Sequence, residues 1–147
     1  DCGAVAVVNA AGLAPEQVAA AVREATAGGA HLSLDALGSQ DTCAAGIRSL
    51  RRRGRHVQVG LLPAVLGAPA LPMDLVIAYE LRVLGSHGMA AQTYPELLGL
   101  ITAGVLRPDR LVTQQLPLDA APDALATLDR PNAPGIRLVR PWTSAPA

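Results

Sequence analysis

Short aliphatic runs alternate with segments of helical periodicity along this chain, the pattern of βαβ units feeding a mainly parallel sheet. The first run, Val5-Ala6-Val7-Val8, is continuous rather than alternating, which predicts a strand covered on both faces. A helix is expected next. Pro15 suits its first turn, Val18, Val22 and Ala25 recur at i, i+4 and i+7, and Gly28-Gly29 closes it. The run His31-Leu32-Ser33-Leu34-Asp35-Ala36-Leu37 predicts a second strand ending at Gly38. Ser39 can cap a second helix whose Cys43, Ile47 and Leu50 share one face, with Arg51-Arg52-Arg53 in its last turn and Gly54 as its stop. His56-Val57-Gln58-Val59 then runs into Gly60-Leu61-Leu62 as a third strand.

Residues 63–72 read as a Pro/Gly/Ala loop, 73–78 as a short helix and 81–84 as a fourth strand. Thr93-Tyr94-Pro95-Glu96 has the form of a capping box, predicting a helix over 94–103 ended by Gly104. Beyond it, Leu111-Val112-Thr113 is strand-like, 119–128 reads as an Ala/Leu helix with Pro122 in its first turn, and Ile136-Arg137-Leu138-Val139 as a last strand. The change in composition near Ser86 divides the chain into 1–86, a nucleotide-type α/β unit, and 87–147. No internal repeat is visible.

Composition narrows the function. With 147 residues, half of them hydrophobic, the chain can bury a core. Its 12 basic and 12 acidic residues cancel, giving no global field to draw in nucleic acid or a membrane surface. No apolar stretch approaches the roughly 20 residues of a spanning helix. The start, Asp1-Cys2-Gly3, does not resemble a signal peptide and reads as a chain that began earlier. Every basic residue is Arg and Phe is absent, a bias expected of a GC-rich genome. Cys2 and Cys43 are too few for a disulfide framework and lack the clustering of a zinc site, which favours a reduced, cytoplasmic setting.

Few single residues point to chemistry. His31, His56 and His87 lack partners at metal-ligand spacing, and the first two read as packed strand residues. His87 follows a strand's carboxyl end, where ligands of open α/β sheets collect, yet packing or subunit contact outweighs catalysis because no nucleophile or orienting carboxylate is near. The Arg51-Arg52-Arg53-Gly54-Arg55 run reads as a solvated helix end offsetting the dipole rather than a nucleic-acid patch. There is no Gly-x-Ser-x-Gly, Gly-x-Gly-x-x-Gly or Walker-type loop. Gly38 and Gly60 sit where parallel strands leave the sheet; lacking Cβ, each can admit a flat ligand or make a tight turn.

Read in order, Gly3-Ala4 to Asn9, Gly29-Ala30-His31 to Gly38, Leu50 to Gly60, Glu80 to Met89, Leu116-Pro117-Leu118-Asp119 to Leu128 and Gly135-Ile136-Arg137 resemble the C-terminal part of a zinc-dependent alcohol dehydrogenase of the medium-chain dehydrogenase/reductase superfamily. The resemblance implies the second half of a Rossmann domain followed by the C-terminal segment of a GroES-like catalytic domain. It also implies NAD or NADP as cofactor, lined by Ala36, Leu37, Gly38, Val59, Gly60, Leu61, Leu84 and Gly85, with Arg137 pairing the pyrophosphate. The substrate would be an alcohol, aldehyde or ketone, with no nucleic-acid or membrane partner. Edge pairing of the 81–84 strand would make a homodimer or homotetramer. The family's zinc ligands, phosphate-binding turn and NAD/NADP-selecting residue would all lie upstream of Asp1, so this chain supplies no catalytic residue or metal ligand and is expected to be inactive alone. The alternatives are a zinc-free quinone reductase of the same superfamily and a non-catalytic cofactor-binding or interaction module. In the family strand order 3-2-1-4-5-6, the Val5 run would be strand 3 without its neighbours, and the Leu32 strand would expose an unpaired hydrophobic edge.

Overall fold

The computed structural model describes residues 3–62, 68–128 and 134–142; Cys2 and residues 63–67 of the expected loop lie outside them. The chain divides into two compact units, Gly3–Gly88 and a second from Met89 onward.

In the first unit, α1 (Pro15–Ala25) leads to β1 (Ala30–Asp35), α2 (Gln40–Arg48), β2 (Leu50–Gln58), α3 (Met73–Ala78) and β3 (Arg82–Gly85). The strands form a three-stranded, wholly parallel sheet in the order β1-β2-β3. This is the α/β architecture that the alternating pattern predicts. Pro15 starts α1 as expected. The Ser39 hydroxyl accepts the Thr42 N–H at 3.1 Å and caps α2, a contact worth about 1 kcal/mol.

The core is one cluster of Cys43, Ile47, Leu50 and Leu81, joined by Ala30, Leu62, Leu71, Val76 and Tyr79. Residues of α2 and α3 meet in it, and α1 packs on α2. Complete burial of Ile47 and Leu50 contributes on the order of 2 kcal/mol each.

Two expectations fail here. Val5-Ala6-Val7-Val8 forms no strand, and Val5 and Val7 are exposed. A strand is stable only where its N–H and C=O groups find a neighbouring strand, and no described strand lies beside this run. The arginine run, expected at the end of α2, belongs to β2 instead. Leu50 is drawn into the core opposite Ala30, and from there to the next pair, Leu32↔Arg55, β1 advances two residues while β2 advances five. Residues 51–54 are therefore a bulge. Arg53 takes φ +60° and donates its N–H to the Tyr79 carbonyl at 2.8 Å. A Cβ on Gly54 would lie 2.9 Å from the Arg51 carbonyl oxygen, so this glycine serves the bulge and not a helix end.

The second unit holds α4 (Tyr94–Thr102), β4 (Val112–Pro117), α5 (Ala121–Ala126) and β5 (Ile136–Arg140), with β4 and β5 paired in parallel. The capping box expected at Thr93 does not form. A 3₁₀ turn, Ala91–Thr93, runs directly into α4, so Thr93 is already helical and its hydroxyl donates back to the Ala90 carbonyl at 2.7 Å. The helix α5 is shorter than 119–128 because a 3₁₀ turn, Leu118–Ala120, takes its first residues.

Candidate functional site

The carboxyl ends of the three strands hold most of the residues singled out in the sequence. Ala36, Leu37 and Gly38 follow β1, Val59, Gly60 and Leu61 follow β2, and Leu84 and Gly85 end β3. Arg137 lies in the second unit, on β5, with its Nη2 buried and without a hydrogen-bond partner among the described residues.

The two strand-end glycines meet each other. A Cβ on Gly38 would fall 2.2 Å from the Leu61 carbonyl oxygen, and one on Gly60 would fall 2.2 Å from the Gly38 nitrogen. Gly38 also requires φ +82°. Both positions are glycine because two backbone turns pack directly against one another. Gly85 differs: a Cβ there meets no atom within 4 Å. Around these turns Leu37, Leu61, Val59 and Leu84 expose apolar surface, the first two by 76% and 77%.

A buried polar chain, not anticipated from sequence, holds the turns. The Asp35 carbonyl accepts the N–H groups of Val59 and Gly60 at 2.9 and 2.8 Å. Its carboxylate Oδ1 accepts those of Leu37 and Gly38 at 2.9 and 3.0 Å. The Gln58 amide donates to Asp35 Oδ2 and to the Gly60 carbonyl, both at 2.8 Å. That orients Gln58 Oε1 toward His56 Nε2 at 3.1 Å, so Nε2 carries the hydrogen, and Nδ1 in that tautomer accepts the Ser33 hydroxyl at 2.8 Å. Ser33↔His56 and Asp35↔Gln58 are register partners across β1 and β2, so the parallel pairing itself builds the chain of contacts. The Asp-Ala-Leu-Gly sequence was the available signal, being the form of a side-chain-stabilised turn.

Burial pushes the Asp35 carboxyl up, but hydrogen bonds from Gly38, Gln58, Leu37 and Thr42 outweigh it and hold the group below its ordinary 3.8. Its stabilisation is therefore complete above that value and is lost as pH falls through the lower, folded one. Asp35→Asn sets an NH₂ against the Gln58 amide donor. It is expected to cost about 1–3 kcal/mol at neutral pH and to flatten the loss of stability below pH 3.8, as read by urea denaturation across pH. Equal acid slopes in both proteins would remove Asp35 from the account.

Of the histidines, His56 is fully buried and His87 is exposed. His31, also exposed, contacts Arg51 Nη1 at 2.7 Å. Cys43 is buried 3.8 Å from His56 Nε2, and burial, followed by the Asp35 charge, pushes its thiol up, which disfavours a nucleophilic thiolate.

The family model for zinc-binding dehydrogenases matches residues 1–103. The chain belongs to the zinc-binding dehydrogenase family. A probable alcohol dehydrogenase of Mycobacterium tuberculosis is 33% identical to this chain over 120 residues, 80% of this chain and 33% of that protein. The structure of the alcohol dehydrogenase of the hyperthermophilic archaeon Aeropyrum pernix superposes with a TM-score of 0.69 at 30% identity, covering 87% of this chain and 34% of that one. Benzyl alcohol dehydrogenase from Acinetobacter calcoaceticus gives a TM-score of 0.76 at 24% identity over 93% of this chain and 37% of that one, a likeness of fold. The chain spans about a third of the length of the curated relatives it matches. Among the described residues of this family member, no group of three His, Cys, Asp or Glu side chains is placed to hold a metal, so its described part does not fit a zinc ion.

Proposed function

We propose that this chain forms one wall of a nicotinamide-cofactor cleft in an NAD- or NADP-linked oxidoreductase acting on alcohols, aldehydes or ketones. The observation that carries the reading is the platform at the strand carboxyl ends, where open α/β sheets bind their ligands, in a chain of the zinc-binding dehydrogenase family. The exposed side chains of Leu37, Val59, Leu61 and Leu84 suit the flat, apolar faces of nucleotide rings, and the open space at Gly85 lets a ring approach the backbone. In the second unit, taken by itself, Arg137 has a buried Nη2 without a partner among the described residues, a donor of the kind that suits a phosphate oxygen, as the resemblance implies. When bound, the nicotinamide supplies hydride transfer; these residues bind and orient it.

Residues 1–86 serve as the second half of the cofactor domain and 87–147 as a segment of the catalytic domain. The substrate-polarising zinc would be held by residues outside those described, so the chain alone is expected to oxidise no alcohol when given zinc and NAD. Edge pairing of β3 with a second copy would give a homodimer or homotetramer. No described helix is long and apolar enough to cross a membrane, and a cytoplasmic setting is the reading from the two cysteines of the sequence.

Gly85→Val gives the sharpest test. A Cβ at this position meets nothing within 4 Å, so stability should stay within about 0.5 kcal/mol. The valine enters the volume assigned to the cofactor, and NADH binding, read by saturation-transfer NMR, should weaken about tenfold or more. A variant that binds NADH as well as the parent would refute the assignment.

A further inference from the structure

The opposite end of the parallel sheet carries a cavity that the strand-end platform does not use. Its volume is 310 Å³, and it is lined by Arg23, Arg51, Arg52, Tyr79 and the turn at 27–29. Three successive residues of that turn take positive φ: Ala27 at +51°, Gly28 at +116° and Gly29 at +126°. A Cβ on Gly29 would lie 2.7 Å from the Arg51 nitrogen, so the β2 bulge rests directly on the turn and brings Arg51 and Arg52 to the cavity. Arg23, from α1, and Arg52 stand 5.5 and 5.3 Å from the centre of the Tyr79 ring.

Each guanidinium is positioned by uncharged partners among the described residues. Arg23 Nη1 donates to the carbonyls of Arg48 and Leu50, Arg51 Nη1 contacts the His31 imidazole, and Arg52 Nη1 donates to the Ala78 carbonyl. Among the described residues none of the three forms a salt bridge, while the neighbouring carboxylates Glu16 and Glu80 are engaged by Arg48 and Arg53. Three cations thus converge in a chain whose overall charge is zero, each anchored through one nitrogen with further N–H groups left to donate. Guanidinium forks match oxyanions, and a doubly charged phosphate offsets this cluster better than a carboxylate does. The cavity has more room than one phosphate group fills, and Tyr79, whose ring lies under Arg23 and Arg52, lines the remaining volume with the turn at 27–29.

We propose that this cavity binds a small phosphomonoester, its phosphate held by Arg23, Arg51 and Arg52 and its carbon skeleton in the remaining volume beside the edge of Tyr79. The inference is independent of the cofactor reading, because the two sites occupy opposite ends of the strands.

The test is a titration of the full chain with glycerol 3-phosphate at low ionic strength, read by NMR of the arginine Nε–H groups. Saturable shifts at Arg23, Arg51 and Arg52 are expected. R51Q and R52Q, both at exposed positions, should each weaken binding about tenfold, whereas R55Q, on the same strand outside the cavity, should not. Inorganic phosphate is expected to compete but to bind more weakly, and Tyr79→Leu, checked for an unchanged melting curve, to weaken the ester alone. Absence of saturable shifts, or equal affinity in R51Q, R52Q and R55Q, overturns the site. Inorganic phosphate bound as tightly as the ester overturns the phosphomonoester as its occupant.

Discussion

Gly60→Ala is expected to destabilise the chain by on the order of 3 kcal/mol or more, a large share of the 5–15 kcal/mol that holds a typical domain together. The added methyl would stand 2.2 Å from the Gly38 nitrogen and 2.6 Å from both the Gly38 Cα and the Leu37 carbonyl carbon. All three are backbone atoms, so relief requires the two turns to part. Parting them strains the hydrogen bonds from Val59 and Gly60 to the Asp35 carbonyl and from Leu37 and Gly38 to its carboxylate. Gly85→Ala, at the end of the neighbouring strand, meets nothing within 4 Å and should change stability by less than about 0.5 kcal/mol. Urea midpoints of the two variants separate a packing requirement from a generic cost of losing glycine in a turn. If both variants melt with the parent, Gly38 and Gly60 do not hold the platform together.

The alternation of runs made the order of the elements legible, and α1, β1 and β3 fall close to where periodicity and Gly, Pro or Ser punctuation place them, whereas α2 ends at Arg48, before the arginine run, and β2 already begins at Leu50. What periodicity cannot convey is which strand lies beside which residue. The Val5 run has the composition of a strand and no partner, so composition alone misleads. The arginine run has the look of a helix end, but burial of Leu50 opposite Ala30 decides the matter in favour of a bulged strand. At the candidate site the glycines stood out and their mutual contact did not, because it depends on two turns 22 residues apart in sequence. The Ser33–His56–Gln58–Asp35 chain was hidden for the same reason: each member is unremarkable until the register sets them side by side.

The second large effect concerns the other face of the sheet. Ser33, Asp35, His56 and Gln58 belong to the hydrogen-bonded chain on the α2 side, where His56 also meets Cys43. Strand alternation sends Leu32 and Leu34 to the opposite face, and the register sets Leu34, Val57 and Leu84 in one row across it. Both α2 and α3 pack on the first face, so within this unit no described helix covers the second, and Leu32, Leu34 and Leu84 remain 45%, 65% and 45% exposed. Parallel sheets are ordinarily covered on both sides. The outer edge of β1 is also unpaired among the described strands. The isolated chain should therefore self-associate and bind an apolar dye such as ANS through this face. Replacing Leu32 and Leu34 together by Gln is expected to shift the sedimentation profile toward monomer and to cut dye binding several-fold. Stability should fall by no more than about 1 kcal/mol, since little burial is lost. A parent chain that sediments as a monomer without binding the dye would mean that this face is covered by some other part of the polypeptide, and the expectation would fall.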